Sequence, residues 1–168
     1  LKYNWKFNYY KKEARSIKRL NSEILRKIGT LSRAIHSVSD IKYRELFLQK
    51  GQFIFLTRIC ENQGINFREL SRILAVDKST TTKAVKKLIE AGYLNKEQDE
   101  KDKREYKLYP TKKALEVYEL IIEEENRNIE ICMEGLSKKE REIAENLLEK
   151  MSVNAEKDWL KVKGGKEW

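Results

Sequence analysis

Histidine and cysteine are nearly absent: the 168 residues include one His and two Cys. His36 has no second ligand or nucleophile near it in sequence, so it reads as a surface or packing residue. Cys60 and Cys132 lie far apart and form neither a CxxC nor a Cys/His cluster, which excludes a zinc-finger spacing and a disulfide framework. They read as helix-face thiols in a reducing cytoplasm. One Pro and seven Gly are too few for a β-sandwich or a loop-rich enzyme, and no Gly-rich phosphate loop occurs. No stretch approaches the roughly 18 apolar residues of a membrane span. No secretory signal opens the chain, so no membrane is expected as a partner and the location expected is cytoplasmic. With no metal-ligand cluster and no activated-nucleophile pattern, no enzyme and no cofactor are expected.

Charge, in contrast, is abundant and unevenly spread. The net value is +9. Residues 1–20 hold seven Lys/Arg against one acid, and residues 66–113 hold thirteen against eight. Residues 114–150 reverse the balance, with five against eleven. A basic middle followed by an acidic helical stretch suits a polyanion-binding module joined to a part that stays clear of the polyanion.

Leu, Ile, Lys and Glu dominate, which favours helix. Residues 1–20 interleave Tyr3, Trp5, Phe7 and Tyr9 with lysines and fit an extended arm or a frayed helix equally. From Asn21 a helical stripe runs through Ile24, Leu25, Ile28, Leu31 and Ile35. A second helix spans about Lys50–Asn62 and stops at Gly64. Asn66 and Glu69 form a capping-box-like start for a short helix carrying Phe67, Leu70, Ile73 and Leu74. Asp77 is placed as the N-cap of a third helix that ends at Gly92. Residues 93–98 and 105–109 read as a hairpin around the charged turn 99–104. Pro110 and Thr111 then open a long helix to about Glu134, with Leu115, Tyr118, Ile122 and Ile129 as its stripe. Ser137 and Glu140 cap a last helix whose apolar face is Ile143, Leu147, Met151, Ala155 and Trp159.

Two short helices joined by a tight turn, Asn66–Ala75 and Asp77–Gly92, fit a helix-turn-helix. A helical wheel puts Thr81, Ala84, Val85, Leu88 and Gly92 inside. Ser79, Lys83, Lys86 and Glu90 face out, flanked by Lys78, Thr80, Thr82 and Lys87. Short hydroxyls can bond phosphates or base edges, and lysines neutralise phosphates. The same pattern alone would also suit an ordinary solvated helix face. The hairpin that follows adds a charged tip, where Asp102 could cap the turn and orient Arg104 beside Lys103. An Arg at such a tip suits a narrow minor groove.

Asp77-Lys-Ser-Thr-Thr-Thr-Lys83, Val85, Leu88, Gly92-Tyr93-Leu94, the segment Asp99-Glu-Lys-Asp102-Lys-Arg104, Thr111 and Leu136-Ser137-Lys-Lys-Glu140 together resemble the MarR family of bacterial regulators. The resemblance covers about residues 21–160. It implies a mainly α fold with a small β-hairpin, in which a winged helix-turn-helix is joined to terminal helices that form a dimerisation region. It also implies DNA contacts at Ser79, Thr80, Thr82 and Lys83, with Arg104 as the wing arginine; the charged helix face and hairpin tip add Lys78, Lys86, Lys87, Asp102 and Lys103 as candidate DNA-binding residues. Thr81 stands where the family usually has Val, and Pro110 and Ala114 where Leu and Gly are common.

The expected organisation is an arm and first dimerisation helix at 1–45, a DNA-binding domain at 46–113 and dimerisation helices at 114–168. The resemblance further implies a homodimer on a palindromic double-stranded operator, probed by two recognition helices, with repression as the expected sign of regulation. Members of the family release DNA on binding a small aromatic effector, and others sense oxidants through cysteine; no residue here selects between them. Phe53, Phe55, Tyr43 and Tyr118 could line an effector cleft or pack a core. The rival reading is a basic helical protein that binds RNA, or any nucleic acid, without sequence selectivity.

Overall fold

The computed structural model describes residues 18–48 and 50–164. The aromatic-basic stretch at 1–17 lies outside the described residues, and so does most of the reading of 1–20. In chain order the elements are α1 (Ile24–Lys42), α2 (Gln52–Glu61), β1 (Ile65–Asn66), α3 (Phe67–Ile73), α4 (Lys78–Glu90), β2 (Leu94–Gln98), β3 (Tyr106–Pro110), α5 (Lys112–Cys132) and α6 (Lys138–Lys163). The chain divides after Ala34 into two compact units. Within the first, α1 opens with an exposed Glu23–Arg26 pair at 3.1 Å, and its Ile24, Leu25 and Leu31 are exposed, Leu25 at 72%.

The second unit is built on one apolar cluster. Phe53, Leu56 and Ile59 of α2, Leu70 of α3, Val85 and Leu88 of α4, Leu108 of β3, and Ala114, Val117 and Ile121 of α5 are all buried in it. Tyr43 and Leu48 join it, with the Tyr43 ring tilted against Phe53 at 5.3 Å. His36 is exposed and sets its ring edge-on against the same Phe53 at 5.9 Å, a surface residue with one packing contact. Phe53 and Phe55 are likewise core residues, and Tyr118 is packed against the cluster.

The sheet is three-stranded and antiparallel, in the order β1-β3-β2. The hairpin register pairs Leu94 with Pro110 and Gln98 with Tyr106. Pro110 therefore ends a strand rather than opening a helix. It has no N–H to donate, so it suits a strand terminus; the helix start falls to Thr111, whose side chain accepts from the Ala114 N–H. Strand β1, two residues long, pairs Ile65 with Leu108 and Asn66 with Lys107. Two residues are too few to show a period, so the sequence pattern does not reveal this strand.

The stripe expected on α5 also shifts. The side it turns to the core carries Ala114, Val117 and Ile121, whereas Leu115 and Ile129 of the expected stripe are exposed. The helix is apolar on more than one side, and the strongest stripe by eye is not the one its own chain covers. Helix α6, 26 residues long, buries none of its side chains, although its Ser137–Glu140 capping box forms as expected. No helix among the described residues is long and apolar enough to cross a membrane.

The turn between α3 and α4 holds Ala75 at φ 49, in the left-handed region where a Cβ is crowded. The N–H groups of Ala75 and Val76 reach back to the carbonyls of Arg72 and Ser71 at 3.1 and 3.0 Å, so the conformation is fixed by the turn itself. Ala75→Gly removes that crowding. We expect a gain of about 0.5–1 kcal/mol in denaturant unfolding, the relief of strain exceeding the added flexibility of the unfolded chain. A loss of stability on this change would show that the turn is not strained.

Candidate nucleic-acid interface

Helix α4 is seated at both ends and along its inner side. Thr81, Val85 and Leu88 are buried to 1% exposure or less, with Ala84 beside them at 9%. The Thr81 hydroxyl lies 2.7 Å from Ser71 Oγ on α3, and Ser71 in turn donates to the Phe67 carbonyl at 2.8 Å. This buried hydroxyl pair satisfies both residues and fixes α4 against α3. At the far end, Gly92 at φ 76 turns the chain into β2. The carbonyls left over there are taken by α5: the Thr111 hydroxyl donates to Gly92 O at 2.9 Å, and Lys113 Nζ to Ala91 O at 2.8 Å. Lys113 also lies over the buried Tyr93 ring at 4.2 Å, and the Tyr93 hydroxyl donates to Leu46 O at 2.8 Å.

Asp77 occupies the N-cap position of α4, but its side chain caps nothing. Its carboxylate pairs with Lys163 near the end of α6. The capping reading is thus corrected: a residue of suitable type at the suitable position has been drawn away by a cation 86 positions later in the chain. The Asn66 cap of α3 does form, with the Glu69 N–H donating to Asn66 Oδ1 at 2.8 Å and Glu69 reaching back to the Asn66 N–H.

The outward side of α4 is exposed at every expected position: Lys78, Ser79, Thr80, Thr82, Lys83, Lys86 and Lys87. They are not equivalent. Thr82 donates its hydroxyl to the Lys78 carbonyl at 2.8 Å, so it meets a ligand as an acceptor. Lys86 is within 3.7 Å of Glu90, a loose surface pair. Lys78, Lys83 and Lys87 enter no ion pair among the described residues.

Asp102, Lys103 and Arg104 stand exposed at the tip of the wing. Asp102 Oδ1 accepts the Arg104 backbone N–H at 3.0 Å, so it orients that residue through its main chain. The larger share of the turn falls to Asp99, which the sequence reading did not single out. Its Oδ1 accepts from the N–H groups of Lys101 and Asp102 at 2.7 and 3.2 Å, and its Oδ2 meets Lys107 Nζ at 3.1 Å. The Lys101 N–H, then Lys107, then the Asp102 N–H hold the Asp99 carboxyl down at about 2. An Asp two and three residues ahead of free N–H groups is an Asx-turn signal, present in the sequence at 99 as well as 102.

Other groups bear less on binding. Burial, and then Glu61, pushes the Cys60 thiol up to about 11, the reverse of what a reactive thiolate needs. Cys132 is exposed and Cys60 buried; both are free thiols. No group of three or more His, Cys, Asp or Glu able to hold a metal occurs among the described residues. Arg72, Ile73, Leu74 and Ala75 face Val153, Glu156 and Trp159 of α6 across an open cleft of about 800 Å³, with Arg72 bridging to Glu156 at 3.5 Å.

The profile of the MarR family matches residues 48–106, which run from the loop before α2 past the hairpin turn to the first residue of β3. An uncharacterized HTH-type transcriptional regulator, YybA of Bacillus subtilis (strain 168), is 39% identical over 144 residues, covering 86% of this chain and 96% of its own. A MarR protein from Peptoclostridium difficile has a solved structure that is 65% identical, with a TM-score of 0.84 over 87% of this chain and 95% of that one. A putative MarR family transcriptional regulator from Listeria monocytogenes, solved in complex with 26mer DNA, is 39% identical with a TM-score of 0.83, covering 90% and 99%.

The Asp99 network makes a prediction about the wing. Its folded pKa lies below the ordinary carboxylate value near 3.8, so the order it adds is complete above that value and is lost as pH falls toward about 2. Amide exchange at Lys101 and Asp102 should therefore stay slow from neutral pH down to about 4 and rise relative to intrinsic rates below it. Asp99→Ala should give the faster exchange at every pH and weaken binding to a duplex. Unchanged protection in that variant would remove Asp99 from the turn.

Proposed function

Because this chain belongs to the MarR family, we propose that it is a transcription regulator that binds double-stranded DNA sequence-specifically as a homodimer. The carrying observation is the outer face of α4: exposed hydroxyls and lysines, of which Lys78, Lys83 and Lys87 enter no ion pair among the described residues, on a helix whose inner side is buried, with the charged wing beside it. In this reading α4 enters the major groove and the wing the minor groove. Ser79, Thr80, Thr82 and Lys83 meet base edges and phosphates. Lys78, Lys86, Lys87 and Lys103 meet phosphates, with Asp102 orienting Arg104. The Listeria relative solved with DNA supports this reading over a non-selective RNA binder. Residues 46–113 are the DNA-binding part, with 1–45 and 114–168 for dimerisation, and the protein acts in the cytoplasm as a repressor. A small aromatic effector that releases DNA fits the family; no cavity described above singles one out.

Dimerisation is supported by what the chain leaves uncovered. Leu120 on α5 is 55% exposed and Leu147 on α6 54%, with Ile129, Ile131, Ile143, Val153 and Leu160 also in water. Fully burying an exposed side chain of this kind is worth roughly 1.5–3 kcal/mol. These are already about half covered, so each would add about half of that, and a second copy that hides several of them gains accordingly. Sedimentation at micromolar concentration should give about twice the chain mass. A monomer that still bound a palindrome tightly would sink the dimer reading.

Arg104→Ala should weaken a selected duplex by roughly 1–3 kcal/mol, most where the flanks are A·T-rich, and leave the central half-site preference intact. Lys83→Ala should relax preference at one half-site position if the ammonium reads a guanine edge. If it holds a phosphate, affinity falls evenly and the salt slope shrinks by about 1 per site. Both are read by titration against selected and flank-swapped duplexes at fixed salt, with circular dichroism melts confirming the fold. Equal affinity of the unaltered protein for selected and scrambled duplexes would favour the non-selective alternative.

A further inference from the structure

Between the start of α3, the first residue of α4 and the root of the wing lies a cleft of about 190 Å³, lined by Asn66, Arg68, Lys78, Arg104, Glu105 and Tyr106 among others. Three of these are cations from three different elements, and one, Arg68, belongs to no part of the recognition helix or the wing. Arg68, Lys78 and Arg104 are exposed and enter no ion pair among the described residues. The one carboxylate in the cleft, Glu105, already has a partner: its Oε2 accepts from Asn66 Nδ2 at 3.2 Å. The cleft thus offers three cations against one engaged anion.

Its shape is held from below. Asn66 caps α3 through Oδ1, reaches the wing through Nδ2, and pairs with Lys107 of β3 in the β1–β3 ladder. The α3 side and the root of the wing are joined by the Asn66–Glu105 hydrogen bond and the β1–β3 ladder. With that frame held, the exposed cation side chains need only close on an anion placed between them.

Its location identifies the anion. If α4 lies in the major groove and the wing in the adjacent minor groove, the feature of DNA that separates those two grooves is a sugar-phosphate backbone. The strand must cross the protein between Lys78 and Arg104, where the cleft lies. We propose that Arg68 and Lys78 clamp a single backbone phosphate of that strand in this cleft, with Arg104 on the rim passing onward to the minor groove. The proposal rests on the DNA-binding reading above and adds Arg68 as a contact that positions the duplex and reads no base.

The test uses the full chain with Arg68→Gln and Arg68→Lys, titrated across salt against a selected and a scrambled duplex. Each lost phosphate contact should lower the salt slope by about 0.9, which at 0.15 M salt is about a fivefold loss per site and about thirtyfold per dimer. The loss should be equal for both duplexes, with base preferences unchanged, and Arg68→Lys should restore the slope. Duplexes carrying one uncharged methylphosphonate linkage, moved stepwise through the half-site, supply the second readout. One linkage should weaken the unaltered protein more than it weakens the Arg68→Gln protein, which has only the Lys78 contact left there to lose. A wild-type slope and affinity in Arg68→Gln, or a changed base preference, would overturn the clamp. If the unaltered protein fails to distinguish the two duplexes, sequence-specific reading falls; the clamp is then judged on the Arg68→Gln slope with the scrambled duplex alone.

Discussion

The Thr81 hydroxyl, withdrawn from water and bonded to Ser71 across the α3–α4 interface, marks the constraint on which the binding face depends. A helix can offer one side wholly to a ligand only if its other side is held without slack. Val85 and Leu88 supply apolar burial along that inner side, the hydroxyl pair supplies direction near its start, and Thr111 with Lys113 fixes its last carbonyls. Apolar contacts tolerate sliding and hydrogen bonds do not. The combination holds α4 against both translation and rotation, which a helix that reads base edges requires.

The wing is tied to the same frame by short-range polar contacts. Strand β1 reaches β3 over two residues, and the Asn66 side chain serves the cap of α3 and the root of the wing together. At the tip, Asp99 and Asp102 hold the turn by accepting backbone N–H groups, which leaves the neighbouring Lys103 and Arg104 side chains outward. Acidic residues in a segment meant for a polyanion look misplaced by charge alone. Their oxygens are consumed by the turn, and Asp99 is further neutralised by Lys107.

The remainder of the chain has a different character. Helix α6 has no fully buried side chain and α5 buries one side only, so many apolar positions of these elements stay at least partly exposed. A free-standing helix of this kind gains little from its own hydrogen bonds in water. The apolar surface of α5 and α6 is therefore a physical argument for the second copy proposed above, and the acidic balance of 114–150 suits a part that stays clear of phosphate.

The sequence by itself determined the order of the helices and the hairpin, the inner and outer sides of α4, and the two capping boxes at Asn66 and Ser137. Each of these is a local pattern of period or spacing within a few residues, set by backbone geometry wherever the segment is placed. It also carried an Asx-turn signal at Asp99 that matched the one noted at Asp102. Tertiary structure decided the rest. The two-residue strand at Ile65–Asn66 exists only because Leu108 and Lys107 lie alongside it. Asp77 makes no cap hydrogen bond and pairs with Lys163 instead, a partner that only the placement of the last helix supplies. The buried side of α5 is Ala114, Val117 and Ile121 because α2 and β3 lie there, and no periodicity in α5 can reveal which of its apolar sides a neighbour will meet. The gathering of Arg68, Lys78 and Arg104 around one cleft is likewise a product of packing: they come from three segments separated in sequence, and only the docking of helix, turn and wing makes them neighbours.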